Sequence, residues 1–270
     1  SVGKTSTKDL AAAMIGQGRA VVATPANWNT EIGLPLTVLS APDGTEVLVL
    51  EMAMRGAGQI AELVRIAEPD VALVTNVAPV HLEQLGSVEA IAAEKAAVIA
   101  GLKPGGTAIV PRDEPLLRPH LRDDVEIVTF GPGDELGDVE IPFTAAHMRL
   151  NAAAALAAAR AVGVEPHGLV EVALSAMRGQ RIELPGDVTI INDCYNANPM
   201  SMRAALDDLA AAAPGRRVAV LGDMLELGPD EVRFHEEIGA YARERGVELV
   251  VAVGPRAAHM RGDRAVDTAA

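Results

Sequence analysis

The sequence opens on residues that could bind a phosphate group. Ser1, Gly3, Lys4, Thr5 and Ser6 belong to the string Ser-Val-Gly-Lys-Thr-Ser. Glycine lets the backbone approach a phosphate, Lys4 supplies positive charge and Thr5 can hold Mg²⁺, while the following helix offers its first N–H groups to the anion. An ordinary Gly-Lys-Thr helix start is the alternative, and the string alone does not separate the two.

Three further side chains are candidates because of their positions in predicted strands and a helix. Glu51 ends an apolar run at 47–50, and His81 follows the next predicted strand. Ligands of open α/β sheets bind at the carboxyl ends of strands, where an acid can face a nucleotide and bind Mg²⁺. Lys95 lies in an Ala-rich helix without an acid three or four residues away to form the usual ion pair. The alternatives are a solvated strand-end Glu, a surface His and a solvated helix Lys.

Polar side chains also follow two later strands. Asp193, Asn196 and Asn198 lie between an apolar strand and a helix that begins near Ser201, and residues 222–228 repeat that placement. Asn and Asp before a helix commonly serve as turn and N-cap residues, which is a complete structural explanation. Their concentration at one strand end also indicates a polar ligand, so both interpretations stay open.

The elements that would position these residues alternate along the chain. Apolar, β-branched runs predict strands at 19–24, 46–51, 70–76, 107–111, 126–130, 188–195, 217–223 and 248–254. Helical stretches are predicted at 5–15, 58–67, 88–102, 151–162, 166–177, 201–213 and 230–245. Such alternation predicts an α/β protein with mostly parallel sheets covered by helices. We place a domain boundary near Gly179, giving domains at 1–179 and 180–270.

Composition narrows the class of protein. The net charge of −14 argues against a general binder of nucleic acid or anionic membranes. The single cysteine, Cys194, excludes an internal disulfide and a Cys-rich zinc site, which is typical of a reducing cytoplasm. No apolar run has the length of a membrane span, so we expect no membrane insertion. We expect a cytoplasmic monomer. Because the sequence begins within a motif, we also expect it to be a fragment of a longer protein.

Six strings together resemble the Mur ligase family. They occupy residues 1–8, 27–37, 51–58, 75–83, 193–202 and 220–228. The strings Tyr-Asn-Ala-Asn-Pro and Leu-Gly-Asp-Met-Leu-Glu-Leu-Gly are the most specific, because they separate the branch that adds D-alanyl-D-alanine from the other branches and from folylpolyglutamate synthase. The resemblance covers nearly the whole chain.

The resemblance implies a fold and a reaction. The fold is a P-loop-type, mostly parallel sheet domain followed by a smaller Rossmann-like α/β domain. The family's UDP-sugar-binding domain, the strand before the phosphate loop and the last strands of the third domain are expected to be missing. The reaction is ATP- and Mg²⁺-dependent. It activates UDP-N-acetylmuramoyl-tripeptide as an acyl phosphate, which the amine of D-alanyl-D-alanine attacks.

The resemblance also implies roles for single residues. Lys4, Glu51, His81 and Lys95 are implied to be catalytic, with Lys95 as a carbamate. The implied metal ligands are Thr5, Glu51, His81 and Lys95. The residues implied to contact adenine, phosphate or ribose are His147, Asn151, Arg181 and Asp193. The residues implied to face the amine substrate are Asn196, Asn198 and Ser201. The chain departs from the family at Met148, where an Asn is usual, and between 130 and 147, where several strands are usual.

Two rivals to this reading remain at this point. One is another amide ligase of the same superfamily, such as a folate or cyanophycin-type ligase. The other is a non-catalytic nucleotide-binding fragment that keeps the fold without the activity. A substrate assay on a full-length parent separates the first rival, and ATP binding without turnover identifies the second.

Overall fold

The structure, a computed structural model, describes residues 2–54, 56–78, 85–173, 175, 177–212 and 215–267. The chain divides into two compact units, unit 1 (Ser1–Ser175) and unit 2 (Ala176–Ala270). The boundary that the sequence predicts near Gly179 falls just inside unit 2.

Unit 1 is built from short parallel strands connected by helices. Its elements are α1 (Lys4–Ile15), β1 (Val21–Ala23), α2 (Gly33–Leu39), β2 (Val47–Val49), α3 (Gln59–Ala67), β3 (Val71–Leu73), α4 (Val88–Ala100), β4 (Thr107–Pro111), β5 (Glu126–Phe130), β6 (Val139–Glu140), α5 (Ala146–Ala161) and β7 (Gly168–Leu169). Strand β1 pairs with β2, β3–β4–β5 form a second sheet, and β6 pairs with β7, all in parallel.

Strand β4 sends apolar side chains to both faces of its sheet. Ile109 belongs to the same buried cluster as Leu10 of α1, whereas Ala108 and Val110 belong to a cluster with Ile99 of α4. Because successive strand residues point to opposite faces, α1 and α4 cover opposite faces of this sheet. The sheet is therefore a buried layer between helices, as strand–helix alternation predicts.

Helix α5 packs against the sheet and α1 through a surface made mainly of alanine. The buried residues of this surface are Ala152, Ala153, Ala154, Ala155, Leu156 and Ala159. Helix–helix separation depends on the side chains at the contact, so alanines permit a close approach. The core of unit 1 thus needs few aromatic residues.

Unit 2 combines a parallel sheet with a separate hairpin. Its elements are β8 (Gln180–Leu184), β9 (Val188–Asn192), α6 (Pro199–Ala212), β10 (Val218–Gly222), α7 (Glu231–Glu244), β11 (Leu249–Val253) and β12 (Arg264–Val266). Strands β10, β11 and β12 pair in parallel in that order, and β8 pairs with β9 in antiparallel. Leu206 of α6, Ile238 of α7 and Val250 of β11 share the core of this unit.

The α/β architecture with mostly parallel sheets is confirmed, but one predicted helix is wrong. Residues 171–173 and 175 contain no helix, and Gly168–Leu169 forms β7 in the middle of the predicted segment 166–177. Gly168 has a φ of 64°, which a right-handed helix does not accommodate. Helix α2 and strand β8 have no counterpart among the predicted elements, whereas β9 lies within the predicted strand 188–195. Among the described residues, no helix combines the length and the apolar character needed to cross a bilayer.

Candidate functional site

Helix α1 starts at a glycine whose conformation and surroundings both exclude a side chain. Gly3 has a φ of 82°, and a Cβ atom there would lie 2.6 Å from Asn151 Oδ1. The left-handed conformation is costly for residues with a Cβ atom. The chain turns sharply here and presents the backbone N–H groups of Lys4, Thr5 and the half-buried Ser6 at the amino end of α1. Such a helix start favours a bound anion.

Four buried side-chain oxygen atoms of unit 1 have no hydrogen-bond partner within the described residues. They are Thr5 Oγ1, Thr7 Oγ1, Glu51 Oε2 and Asn76 Oδ1. A buried polar atom without a partner costs about 1–3 kcal/mol, so these atoms are suited to a polar ligand or ion. Oxygen atoms are the ligands that Mg²⁺ prefers, and the residues present therefore fit that ion.

Glu51 is held just beyond β2 by two neighbours. Its Oε1 atom accepts a hydrogen bond from Asn29 Nδ2 at 2.8 Å, and its backbone N–H donates to Thr24 Oγ1 at 3.0 Å. The residue is only 5% exposed, which excludes a solvated strand-end carboxylate. One carboxylate oxygen is thus fixed by the protein, and the other is the atom without a partner. Asn29 is a residue that sequence reasoning did not select, although it lies in the Asn-Trp-Asn string.

The carboxyl end of β3 is tied to the chain that enters α1. Thr75 Oγ1 and Asn76 Nδ2 both donate hydrogen bonds to the carbonyl oxygen of Val2, at 3.1 and 2.8 Å. These bonds set the position of the turn at Gly3. Asn76 ends the predicted strand 70–76 and belongs to the string 75–83, but sequence reasoning did not select it.

Lys95 of α4 is buried and its amine is easily deprotonated. Lys95 is 8% exposed, and its Nζ donates to the carbonyl oxygen of Asn76 at 2.8 Å. Burial, and then the positive charge of Lys4, lower the pKa of Lys95 to about 7, while Glu114 opposes the effect. This burial excludes the alternative of a solvated lysine. Near neutral pH, a large fraction of the amine is uncharged.

One cavity of unit 1, about 440 Å³ in volume, brings together three of the four predicted catalytic residues: Lys4, Glu51 and Lys95. His81 and Ser1, also predicted for the site, lie outside the described residues. The described part of the chain contains no group of three or more His, Cys, Asp and Glu side chains placed to hold a metal. A divalent ion here would therefore need hydroxyl and amide oxygens and the oxygens of a carbamylated lysine, in addition to a single carboxylate.

The residues predicted to lie near adenine are in the first turns of α5. His147 is the second residue of this helix, and Asn151 lies beside Gly3. Met148 is 6% exposed and belongs to the core of unit 1. Its sulfur lies 3.9 Å from Asn151 Nδ2. An apolar residue at 148 therefore fits its buried surroundings.

The two predicted nucleotide contacts of unit 2 each have a partner within that unit. Arg181 Nη2 donates to both carboxylate oxygens of Asp208, at 2.9 and 3.1 Å. Asp193 Oδ1 accepts from the backbone N–H of Gly179 at 3.1 Å. Desolvation raises the pKa of Asp193 even though the residue keeps an exposed surface, and the Gly179 hydrogen bond partly opposes this rise.

The three predicted amine-facing residues lie at the start of α6, with Asn196 and Asn198 before the helix and Ser201 in its first turn. Asn198 Oδ1 accepts from the backbone N–H of Ser201 at 2.9 Å, and Ser201 Oγ donates back to the carbonyl oxygen of Asn198 at 3.1 Å. Asn196 Oδ1 accepts from the N–H of Ala197 at 2.9 Å, and Asn196 is exposed. The capping interpretation therefore holds for Asn198 and Ser201, whereas Asn196 has a surface that a ligand can reach.

The 222–228 loop is held by His235 of α7 and by its own residue Asp223. His235 is fully buried, and its Nε2 accepts from the backbone N–H of Met224 at 3.0 Å. Asp223 Oδ1 accepts from the backbone N–H of Ala257 at 2.7 Å, and a Cβ atom at Gly254 would lie 2.5 Å from that oxygen. Asp223 is thus a structural residue of unit 2.

Comparison with known proteins assigns a family to each part of the chain. The Mur ligase middle domain matches residues 1–140, and the family described as "Mur ligase, glutamate ligase domain" matches residues 177–269. The UDP-N-acetylmuramoyl-tripeptide–D-alanyl-D-alanine ligase of Bacillus subtilis is 39% identical over 94% of this chain and 61% of that protein. The enzyme of the same name from Escherichia coli is 32% identical over 94% of this chain and 63% of that protein.

Solved structures agree with these matches. MurF ligase from Thermotoga maritima, in complex with ADP, superposes with a TM-score of 0.85 at 31% identity, covering 100% of this chain and 69% of that one. MurF from Acinetobacter baumannii superposes with a TM-score of 0.86 at 28% identity, covering 96% and 63%. The chain spans about 60% of the length of the curated relatives it matches.

Proposed function

The chain belongs to the Mur ligase family, and on that premise we propose that it is the nucleotide-binding and C-terminal part of a longer D-alanyl-D-alanine-adding ligase. The longer enzyme joins D-alanyl-D-alanine to UDP-N-acetylmuramoyl-tripeptide in cytoplasmic peptidoglycan precursor synthesis. Relatives named for this activity support the proposal, as does a neighbour in complex with ADP. The observation in this chain that carries it is the cavity that Lys4, Glu51 and Lys95 line together, in which Glu51 Oε2 has no hydrogen-bond partner within the described residues.

The proposed reaction has two steps. A carboxylate oxygen of the tripeptide attacks the γ-phosphorus of ATP, the bond to the β-phosphate oxygen breaks, and ADP leaves. The amine of D-alanyl-D-alanine then attacks the carbonyl carbon of the acyl phosphate, loses a proton and expels inorganic phosphate. Neither step needs a covalent nucleophile from the protein, so catalysis consists of positioning and charge stabilisation.

Lys4 and the N–H groups of the first turn of α1 are assigned to the phosphates of ATP. The turn at Gly3 aims these donors outward from the helix, and Lys4 lines the same cavity as Glu51 and Lys95. Positive groups fixed before the reaction stabilise the negative charge that develops during phosphoryl transfer. The bonds from Thr75 and Asn76 to Val2 keep the turn in place.

Thr5, Glu51, His81 and Lys95 are assigned to Mg²⁺, with Lys95 as a carbamate. When bound, Mg²⁺ neutralises phosphate charge and orients the phosphate oxygens. Carbamate formation needs a neutral amine, and the lowered pKa of Lys95 supplies it near neutral pH. The modification replaces a cation that would repel Mg²⁺ with a negatively charged oxygen ligand.

Unit 2 is assigned contacts with the nucleotide and the amine. The bond from Arg181 to Asp208 uses only Nη2 of the guanidinium, so the remaining donors of Arg181 can bind phosphate. Asp193 is assigned to the ribose, and the exposed Asn196 to the amine substrate. Asn198 and Ser201 support this turn through their mutual hydrogen bonds.

Titration calorimetry of this chain with ADP, with and without Mg²⁺, tests the metal assignment. Thr5→Val is expected to remove the Mg²⁺-dependent gain in affinity. Thr37→Val is the matched control, because it deletes another buried threonine hydroxyl of unit 1, which donates to the carbonyl oxygen of Gly33. If both variants lose the Mg²⁺-dependent gain in ADP affinity equally, or if neither loses it, the assignment of Thr5 is contradicted.

Ligation itself is tested in the longer enzyme. There, ADP release should require both UDP-N-acetylmuramoyl-tripeptide and D-alanyl-D-alanine. The 270-residue chain alone is expected not to perform the reaction. Release of ADP with a folate or another amino acid in place of D-alanyl-D-alanine would favour a different amide ligase.

A further inference from the structure

Lys8 is a buried cation of unit 1 to which the proposed reaction assigns no role. It lies one turn after Lys4 in α1, on the same face of the helix, and both side chains line the cavity of the candidate site. This placement alone suits either lysine to a phosphate. The hydrogen-bond partners of Lys8 decide which role it has.

Each N–H donor of the Lys8 ammonium group has an acceptor within unit 1. Its Nζ donates to the carbonyl oxygen of Thr24 at 2.8 Å and lies 2.9 Å from Asp9 Oδ1. The carbonyl oxygen of Ala26 is a further acceptor, at 3.5 Å. An ammonium group has three N–H donors, so none is left for a phosphate. Lys8 therefore acts on the protein itself.

The 24–26 segment, which Lys8 holds directly after β1, contains a strained residue. Ala26 has a φ of 43°, in the left-handed region that a residue with a Cβ atom occupies only at a cost in free energy. Such a conformation persists where the surrounding structure fixes it. The hydrogen bonds from Lys8 to the carbonyl oxygens of Thr24 and Ala26 supply that restraint.

The loop that begins with this segment positions Glu51. Thr24 Oγ1 accepts from the backbone N–H of Glu51 at 3.0 Å. Further along the loop, Asn29 Nδ2 donates to Glu51 Oε1 at 2.8 Å, and the carbonyl of Asn29 accepts from the N–H of Ala53 at 2.9 Å. Both the backbone and the carboxylate of Glu51 are therefore held from the loop whose start Lys8 fixes.

Asp9 balances the charge of Lys8 and is itself held in place. Its Oδ1 atom pairs with Lys8, while its Oδ2 atom accepts from the backbone N–H and from Oγ of Ser175, at 2.9 and 3.0 Å. A buried cation without such a partner is costly. The salt bridge lets a charged lysine hold two carbonyl groups inside unit 1.

We propose that Lys8 is a positioning residue of the candidate site, which fixes the 24–26 segment so that Glu51 presents its Oε2 atom to a divalent ion. Residues that orient a metal ligand through hydrogen bonds strengthen metal binding without touching the ion. The inference rests on the proposed function, because it concerns the Mg²⁺ and the nucleotide assigned there. The alternative is that Lys8 adds its charge directly to the phosphates.

Two measurements on the Lys8→Met variant test the proposal. In titration calorimetry with ADP, the gain in affinity from Mg²⁺ should fall about tenfold or more, while the affinity without Mg²⁺ stays within about twofold. In the ligand-free chain, amide hydrogen exchange should be about tenfold faster at Glu51 and Ala53, the effect of one lost hydrogen bond to a charged group. Exchange should be unchanged at Arg112, whose N–H donates to Phe130 beside the β4–β5 pair.

Ser175→Ala is the matched control, because it removes one hydrogen bond from Asp9 and leaves the bonds from Lys8 to the 24–26 segment. It should keep both the gain from Mg²⁺ and the exchange rates. If Lys8→Met does not fold, Lys8→Gln, which also removes the charge but keeps a polar end, carries the same test with the same expected direction.

Unchanged exchange at Glu51 and Ala53 overturns the proposal, and so does faster exchange with an unchanged gain from Mg²⁺. An equal loss of ADP affinity with and without Mg²⁺ would show that Lys8 acts on the phosphates directly, and would also overturn it. If the unsubstituted chain binds ADP with no gain from Mg²⁺, the proposed metal assignment fails. The exchange rates alone then decide whether Lys8 positions Glu51.

Discussion

Replacing Lys95 with methionine is expected to flatten the pH dependence of stability on the alkaline side of neutrality. The pKa of Lys95 is lowered from 10.5 to about 7 in the folded chain, chiefly by burial. The unfolded chain therefore binds more protons than the folded chain between these two values, and the free energy of unfolding rises with pH in that window. Methionine keeps a long apolar side chain in place and removes the titrating group.

The size of the effect follows from the two pKa values. One proton held by the unfolded chain and absent from the folded chain gives a slope of up to about 1.4 kcal/mol per pH unit. Integrated from about pH 7.5 to about pH 9.5, the contribution of Lys95 to the free energy of unfolding is about 2.5 kcal/mol. This contribution to the free energy of unfolding is fully present above pH 10.5 and is lost as the pH falls toward 7.

The assay is urea denaturation of both proteins at several pH values in buffer freed of carbon dioxide, which keeps the amine unmodified. The Lys103→Met variant is the matched control, because the side chain of Lys103 is 53% exposed and forms a salt bridge with the exposed Asp70. The free energy of unfolding of this control should change with pH as it does in the unsubstituted chain. A Lys95→Met protein whose stability keeps the same slope over this range would refute the claim that burial holds the amine neutral.

Three further outcomes are expected. In the longer enzyme, Lys4→Ala should lower kcat for ADP release by about a hundredfold or more, with an unchanged circular dichroism spectrum. In this chain, Glu51→Gln should abolish Mg²⁺-dependent ADP binding in calorimetry, whereas the exposed Glu135→Gln should not. His235→Ala should lower the free energy of unfolding by about 2–4 kcal/mol in urea, because it opens a cavity and leaves the buried N–H of Met224 without its acceptor.

Regular elements with strong local signals were predictable from the sequence. Strands β4 and β5 and helix α3 begin and end within a residue or two of their predicted bounds, because each is an apolar or amphipathic run between clear breaks. Helix α2 is seven residues long and contains a proline, so its local signal is weak. The false helix at 166–177 has helical composition, but its backbone is committed to the β6–β7 pair.

The candidate site was predictable in its residues but not in their environments. A strand-end Glu and a helix Lys can be found by pattern, yet burial of Glu51 and Lys95 depends on elements far away in the chain. Asn29 reaches Glu51 across 22 residues, and Lys95 reaches the carbonyl of Asn76 across 19. Such contacts leave no local periodicity, so the sequence could not decide between solvated and buried forms of either side chain.

The turn that enters α1 and the buried Lys95 share one anchor, the segment at the end of β3. Two side chains at the end of β3 hold the carbonyl group of Val2, and the carbonyl of Asn76 also receives the amine of Lys95. A displacement of β3 would therefore move the turn before Lys4 and the surroundings of Lys95 together. The positions of the turn at Gly3 and of the buried lysine thus depend on one sheet, which explains why residues so far apart in the chain line one cavity.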